Sequence, residues 1–268
     1  VYDGNTSMTG LSLSLNGLVT GTVNTVSVTD TVNVAGVGTY ADKNVTGSAN
    51  KNYTLTNLVI SGADAANYVL TNGVTNTAIS TQNGSNGEVT PRTLTVSYTG
   101  VDRVYDGGTV ASVTTATPVA NGFVSGDVFD INWTANYADK NVGGAKTISV
   151  SGVSLSNPTG VSSVDATNYS VASTGSTTAN ITPRTLSVYY TGVDKVYNGD
   201  SVATVITTDD RVSGDVLSIA RTASYADKNV GLNKTVSVSS VVLSGTDVNN
   251  YTLASTTGTT TATITARP

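Results

Sequence analysis

The hexapeptide Tyr-Ala-Asp-Lys-Asn-Val at residues 40–45 recurs without change at 137–142 and at 225–230. Three identical copies are either three copies of a site or three copies of a fold signature, and their flanks decide between the two. Upstream, Val-Tyr-Asp-Gly at 1–4 returns at 104–107 and, as Val-Tyr-Asn-Gly, at 196–199. Between these motifs lie Gly-Leu-Val-Thr-Gly-Thr-Val (17–23), Gly-Phe-Val-Ser-Gly-Asp-Val (122–128) and Asp-Arg-Val-Ser-Gly-Asp-Val (210–216). Downstream come a lysine (Lys51, Lys146, Lys234), then Asp-x-x-Asn-Tyr beginning at Asp64, Asp165 and Asp247. Each copy closes on Thr-Pro-Arg or Thr-Ala-Arg. An ordered series of motifs repeated at domain length is the mark of a tandem array.

The turn-motif tyrosines stand at 2, 105 and 197, offsets of 103 and 92 residues. The distance from turn motif to hexapeptide shrinks from 38 to 32 to 28 residues, which places the variation in a surface loop. These spacings predict three domains, 1–91, 92–183 and 184–268, the first lacking its opening strand, so that the chain reads as part of a longer array. No Gly/Ser-rich or charged linker separates them. Short, stiff joints and an elongated rod are expected.

Thr, Ser, Val, Asn and Gly dominate the composition, a mainly β signature, and the scarcity of Leu, Met and Glu argues against long helices. In Thr-Leu-Thr-Val-Ser-Tyr (93–98), Leu94, Val96 and Tyr98 share one face of a half-buried strand, and Leu186, Val188 and Tyr190 repeat the pattern. Asp106-Gly107 and Asn198-Gly199 predict tight hairpin-type turns. The alternation that follows Lys146 and Lys234 slips phase at Gly152 and Ser240, which predicts a β-bulge. Asp-x-x-Asn-Tyr reads as a single helical turn capped by its aspartate. Each domain is thus expected to be small and β-rich, β-grasp-like or β-sandwich-like, with at most one short helical turn.

The chain has no histidine and no cysteine, which removes His-dependent bases, Ser-His and Cys-His nucleophiles, and metal sites built on N and S ligands. A net charge of −5 and the lack of a basic patch argue against nucleic acid, and no apolar run has membrane-spanning length. Asp102, Asp106, Asp139 and Asp165 lie near recurrent turns, but no EF-hand loop or Gly-Asp-rich nonapeptide surrounds them, so turn and cap roles are expected rather than calcium ligation. An intramolecular isopeptide bond needs a buried lysine. Lys43, Lys140 and Lys228 fall in a polar turn and Lys51, Lys146 and Lys234 head a strand, so solvated lysines are expected instead. Thr-rich strands such as 258–265 read as ordinary solvent-facing sheet, and a single tryptophan argues against a sugar-stacking platform in every repeat. No catalytic, cofactor or metal residue is identified.

The recurrent aromatic is tyrosine: Tyr2, Tyr105 and Tyr197 in the turn motif, Tyr40, Tyr137 and Tyr225 in the hexapeptide, Tyr68, Tyr169 and Tyr251 after the helical turn. These nine form a structural signature, with rings for the core and hydroxyls for its edge. The acid of Val-Ser-Gly-Asp is replaced by Thr22 in the first copy, which reads as loss of that acid from one repeat.

In its ordered motifs the whole chain resembles the YDG-type repeat, a family related to the mostly β-grasp modules of large bacterial surface proteins such as filamentous-haemagglutinin-like adhesins. The resemblance implies no catalytic residues. It implies a stalk or spacer segment, non-enzymatic, at the bacterial cell surface or secreted, with neighbouring repeats as its partners and neither nucleic acid nor inserted membrane among them. Two other functions are open at this stage. One is a ligand-binding adhesin module that grips a glycan, matrix polymer or protein through the variable loops 4–40 or 107–137. The other is a self-associating fibre subunit that accepts a strand at an open edge.

Overall fold

The computed structural model describes residues 1–74, 77–116, 122–162 and 164–268, so part of the variable loop 107–137 (117–121) lies outside the described residues. The chain divides into two compact units. One comprises Val1–Val96, Thr117–Trp133 and Gly152–Ser173, the other Ser97–Ala116, Thr134–Ser151 and Thr174–Pro268. The second sequence repeat is shared between them.

The first repeat supplies β1 (Thr20–Val23), β2 (Val26–Thr29), β3 (Asn33–Tyr40), β4 (Lys51–Ser61) and β5 (Gln82–Gly87). The second supplies β6 (Arg92–Leu94), β7 (Ser97–Gly100), β8 (Arg103–Val104), β9 (Val113–Ala116), β10 (Asp130–Tyr137), β11 (Gly143–Ser156), β12 (Tyr169–Val171) and β13 (Thr174–Thr182). The third repeats that series as β14 (Arg184–Leu186), β15 (Val188–Val193), β16 (Lys195–Val196), β17 (Thr204–Asp209), β18 (Ser218–Tyr225), β19 (Gly231–Ser244), β20 (Tyr251–Leu253) and β21 (Gly258–Thr265). Helical structure among the described residues is confined to single 3-10 turns, Ala65–Asn67, Asp165–Asn168 and Val248–Asn250. The fold is mainly β.

The third repeat lies wholly within one unit and displays the plan. β18, β19 and β21 form an antiparallel meander, and the short β16 joins β21 in parallel. The antiparallel pair β15–β17 covers one face, so that Val205 and Tyr190 meet Val236, Val238, Ala262 and Ile264. Two sheet layers enclose this core, and no helix crosses it among the described residues; the layering is of the sandwich kind. Burial of each such aliphatic side chain stabilises by about 1.5–3 kcal/mol. β10–β11–β13–β8 and β3–β4–β5 reproduce the meander in the earlier repeats.

The phase slip is a bulge. Thr222 pairs with Ser239 but Ala220 with Val242, and Val37 pairs with Thr56 but Ala35 with Val59, so that two residues on one strand face a single residue on the other. Asn57, Gly152 and Ser240 adopt positive φ there (55°, 63° and 54°). The extra residue turns Leu58, Val153 and Val241 back into the core, where all three are buried.

Two local expectations are corrected. The stretch 93–98 is not one strand. β6 ends at Leu94 and pairs in parallel with β12, while β7 begins at Ser97 and pairs with β9, so Leu94 and Tyr98 serve different sheets. The Asp-Gly turn has its positive-φ glycine (Gly107, 82°) but joins no hairpin. The strand before it, β8, lies parallel to β13, and the Asp106 carboxylate shapes the turn by accepting the Gly108 N–H at 2.9 Å.

Candidate functional site

The recurrent motifs converge on a buried carboxylate. In the first unit, the turn after Val124 is closed by the Asp127 N–H donating to the Val124 carbonyl at 3.2 Å. This directs the Asp127 side chain inward, where the residue is 4% exposed. Tyr169, at the start of β12, donates its hydroxyl to Asp127 Oδ2 at 2.7 Å and accepts the Val124 N–H at 2.9 Å. Asp165 Oδ2 accepts the Val128 N–H at 3.0 Å. These groups belong to the second repeat and form a socket.

The first repeat fills it. Tyr2, from the turn motif, donates its hydroxyl to Asp127 Oδ2 at 2.7 Å, and its ring meets that of Tyr169 edge-on at 5.4 Å. Lys43, from the hexapeptide, places Nζ 2.8 Å from Asp127 Oδ1 and 3.6 Å from Asp165. The next two hexapeptide residues engage Asn168. The Val45 N–H donates to Asn168 Oδ1 at 2.8 Å, and Asn168 Nδ2 donates to Asn44 Oδ1 at 3.1 Å. Tyr2, Val89, Leu94 and Tyr169 form the apolar wall around these polar contacts. Gly4 (φ 84°) comes so close that a Cβ there would stand 2.3 Å from Val124 Cγ1.

The second unit contains the same arrangement between the second and third repeats. Asp215 accepts the Tyr105 hydroxyl at 2.8 Å, the Tyr251 hydroxyl at 2.6 Å and the Lys140 ammonium at 2.6 Å. Asn250 Oδ1 accepts the Val142 N–H at 2.9 Å, and the Tyr105 and Tyr251 rings meet edge-on at 5.5 Å. Tyr2 with Lys43, and Tyr105 with Lys140, are plugs; Asp127 and Asp215 anchor the sockets. Each lock lies inside one compact unit.

Burial works to raise the Asp127 and Asp215 carboxyls, but the hydrogen bonds from Lys43 or Lys140 and from two tyrosines outweigh it and hold both below the usual carboxylate range. Their partners shift the other way. Hydrogen bonds to the aspartates and tyrosines keep Lys43 and Lys140 protonated well above the ordinary lysine range. Burial, aided by Asp215, pushes Tyr251 up to about 12. Burial likewise raises Tyr2, Tyr105 and Tyr169. An ammonium facing an ionised carboxylate is an ion pair and lacks the neutral amine that amide formation requires. Among the described residues no cluster of three or more His, Cys, Asp or Glu is placed to hold a metal.

The hexapeptide aspartate has a separate task. Asp42 accepts the Asn44 N–H at 2.8 Å and the Lys51 ammonium at 2.7 Å, closing the loop within its own repeat. Asp139 with Lys146 and Asp227 with Lys234 do the same. The strand-heading lysines are therefore not solvated as expected; Lys51 is 2% exposed because its ammonium folds back onto Asp42 and the Asn44 carbonyl. Nor do Lys43 and Lys140 stand free in a polar turn.

Two further expectations change. Asp64 and Asp247 precede the first and third 3-10 turns without a side-chain capping bond, and Val164 stands in that place before the second. Asp64, Asp165 and Asp247 accept the N–H of the residue after the socket acid, Thr31, Val128 and Val216, the acid being buried at Asp127 and Asp215 and half-buried at Asp30. The acid missing at Thr22 is present at Asp30. Asp30 accepts the Tyr68 hydroxyl, and its N–H donates to the Val19 carbonyl at 3.1 Å, as in the other sockets. The hairpin β1–β2, inserted between Val19 and Asp30, displaced the acid in sequence but not in the fold.

Of the nine signature tyrosines, Tyr2, Tyr105, Tyr169 and Tyr251 build the two locks. Tyr137 and Tyr225 are buried at the ends of β10 and β18, their hydroxyls donating to the Val101 and Val193 carbonyls at 3.3 and 3.2 Å. Half-buried Tyr40 donates to the Glu88 carbonyl at 3.0 Å. Tyr68 belongs to the Asp30 socket, and Tyr197 packs partly buried against the core of the third repeat.

Comparison with protein families matches the YDG domain at residues 1–78, 90–179 and 182–262, and the chain belongs to this family. No curated protein and no solved structure matches the chain.

Proposed function

We propose that this chain of three YDG domains is a non-enzymatic spacer segment of a secreted or surface-attached bacterial adhesin, whose work is to join domain to domain stiffly and carry load. The observation that supports this most directly is the lock. The motifs that recur in every repeat are spent on a buried three-donor carboxylate and its apolar wall at each joint, and neighbouring repeats are its partners. An array whose units each bury a face against the next resists bending and transmits force through nearest-neighbour contacts. An acidic surface rich in Thr, Ser and Asn suits life outside the cell. The absence of cysteine suits export of an unfolded chain.

Pulling the full chain from its ends in a single-molecule force experiment tests the reading. Discrete unfolding peaks are expected, each releasing about 30 nm of contour length at ~3.6 Å per residue. Asp127→Ala and Asp215→Ala should lower the forces. Extension at low force without resolved peaks would sink the spacer role.

A further inference from the structure

The turn motif of the third repeat differs from its two counterparts in the residue after the tyrosine. Asp3 and Asp106 each accept the N–H of the residue two places on, Asn5 at 3.1 Å and Gly108 at 2.9 Å, and Asp106 also pairs with Arg103. In their place stands Asn198, followed by Gly199. The Asn198 amide is held at both of its polar atoms. The Lys195 ammonium donates to Asn198 Oδ1 at 3.0 Å, and the Asp200 N–H donates to the same oxygen at 3.3 Å. Asn198 Nδ2 donates to Asp200 Oδ2 at 2.9 Å, and Asp200 Oδ1 pairs with Lys195 at 2.8 Å. Both ends of the turn are pinned: the Tyr197 N–H donates to the Thr265 carbonyl at 2.9 Å, and Val202 bridges to Ser224.

These contacts fall where displacement at an amide needs them. When a nucleophile adds to the side-chain carbonyl carbon, negative charge develops on Oδ1, and an ammonium and an N–H already point at that oxygen. The nitrogen that must leave is the one held by Asp200. The nucleophile is the main-chain nitrogen of Gly199, tethered beside the carbonyl it attacks. Its N–H makes no hydrogen bond among the described residues, and glycine has no Cβ to hinder ring closure.

We propose that Asn198-Gly199 is a self-modification site, at which Lys195 and Asp200 promote deamidation of the chain's own asparagine. The Gly199 nitrogen bonds to Asn198 Cγ, its proton passes by way of water to Nδ2, and ammonia leaves a cyclic imide. Water then adds to one of the two imide carbonyls and opens the ring, leaving either aspartate at 198 or an isoaspartyl linkage. The aspartate form gives the third turn the carboxylate that Asp3 and Asp106 supply in the others. The isoaspartyl form adds a methylene to the main chain directly after Tyr197. Water reaches this position whatever adjoins the repeat, because the Asp106 side chain is 56% exposed although its own lock is filled. The reaction requires neither the lock nor the spacer role.

Peptide mapping by mass spectrometry of the full chain, aged in neutral buffer, is the test, with a synthetic peptide of residues 194–202 aged beside it. Asn198 in the folded chain is expected to convert about tenfold faster or more than in the peptide, since removing a donor from a developing oxyanion typically costs at least that much. Lys195→Met should abolish this advantage with circular dichroism unchanged, and Gly199→Ala should slow the conversion in chain and peptide alike. Conversion in the folded wild-type chain no faster than in the peptide overturns the proposal without recourse to any variant. So does a folded Lys195→Met chain that converts at the wild-type rate.

Discussion

Lys140→Ala and Lys228→Ala alter the same position of the same hexapeptide, which makes the pair an internal control for the lock. Lys140 Nζ lies 2.6 Å from Asp215 and 3.3 Å from Asp247, and the Asp215 side chain is 1% exposed. Removing one partner of a buried ion pair costs about 3–5 kcal/mol, because the other charge is left uncompensated. Two features of this site reduce that figure. The Lys140 side chain is 36% exposed, so water reaches the vacated position, and Asp215 keeps the hydroxyls of Tyr105 and Tyr251. About 2–3 kcal/mol remains, which lowers the melting temperature of the unit that contains it by ~5–10 °C. Lys228 is exposed and makes no ion pair among the described residues, so its replacement in dilute solution should change stability by less than ~0.5 kcal/mol. Scanning calorimetry at low concentration measures both, and hydrogen exchange at the Val212–Asp215 turn reports whether the loss is local. Equal effects from the two substitutions would refute the lock as a source of stability. The sequence alone predicts equal, small effects.

Glycine approach gives a second matched pair. Gly107→Ala and Gly199→Ala both incur the penalty of a side chain at positive φ, about 1 kcal/mol, but only at Gly107 does the new Cβ meet Val212, at 2.6 Å. Gly107→Ala should therefore cost about 1–2 kcal/mol more in urea denaturation. Tyr137→Ala removes a buried ring at the end of β10 and should cost ~3 kcal/mol or more by the same assay. pH acts on the locks from both sides. The carboxyls of Asp127 and Asp215 are depressed, so their stabilisation is present above the unfolded value near ~4 and is lost as pH falls through the lower folded value. Tyr251 is raised to about 12, so its contribution is whole below ~10 and disappears as pH climbs through the folded value, a loss on the order of 2 kcal/mol. Urea midpoints should form a plateau from about pH 5 to 9 and fall on both flanks. Asp215→Asn should remove the share of the acid limb that its own carboxyl contributes and leave that of the other depressed carboxyls of its unit, Asp139, Asp209 and Asp227 among them.

Much of the fold was legible because its signals are local. β-branched composition, period-2 alternation and the slip at Gly152 and Ser240 each report on a residue's own strand and its pairing. The lock was not legible, because its parts lie far apart: Tyr2 meets Asp127 across 125 residues and Lys140 meets Asp215 across 75. A perfect repeat conceals such contacts further, since a motif copied in every repeat looks the same whether its partner is in its own copy or the next. Lys43 and Lys51 illustrate the ambiguity. Both follow Asp42 within ten residues, yet one pairs inside the repeat and the other outside it. Asp30 was hidden by arithmetic: the inserted hairpin moved it out of register with Asp127 and Asp215, and Thr22 took its place in the alignment. One cue was available without coordinates. Three consecutive polar residues held identical in all three copies exceed what a surface turn demands, since turns tolerate exchange among Asn, Asp, Ser and Gly.

The hexapeptide therefore divides its labour along its length. Tyr137 and Asp139 act inward, on the end of β10 and on Lys146; Lys140, Asn141 and Val142 act outward, on Asp215 and Asn250. The inward half fixes the loop that presents the outward half, so a repeat must be folded for its plug to exist, and the next must be folded for its socket to exist. Each lock then contributes its free energy only when both neighbours are native. That is the coupling term of a nearest-neighbour array, and it makes adjacent repeats fold as a group without any single large core. The same logic accounts for compact units that ignore the sequence repeats. The second repeat supplies the socket of one lock and the plug of the other, and its residues are divided between the two units accordingly. All three hexapeptides close their own domain through an Asp–Lys pair, and the first two also grip the repeat that follows.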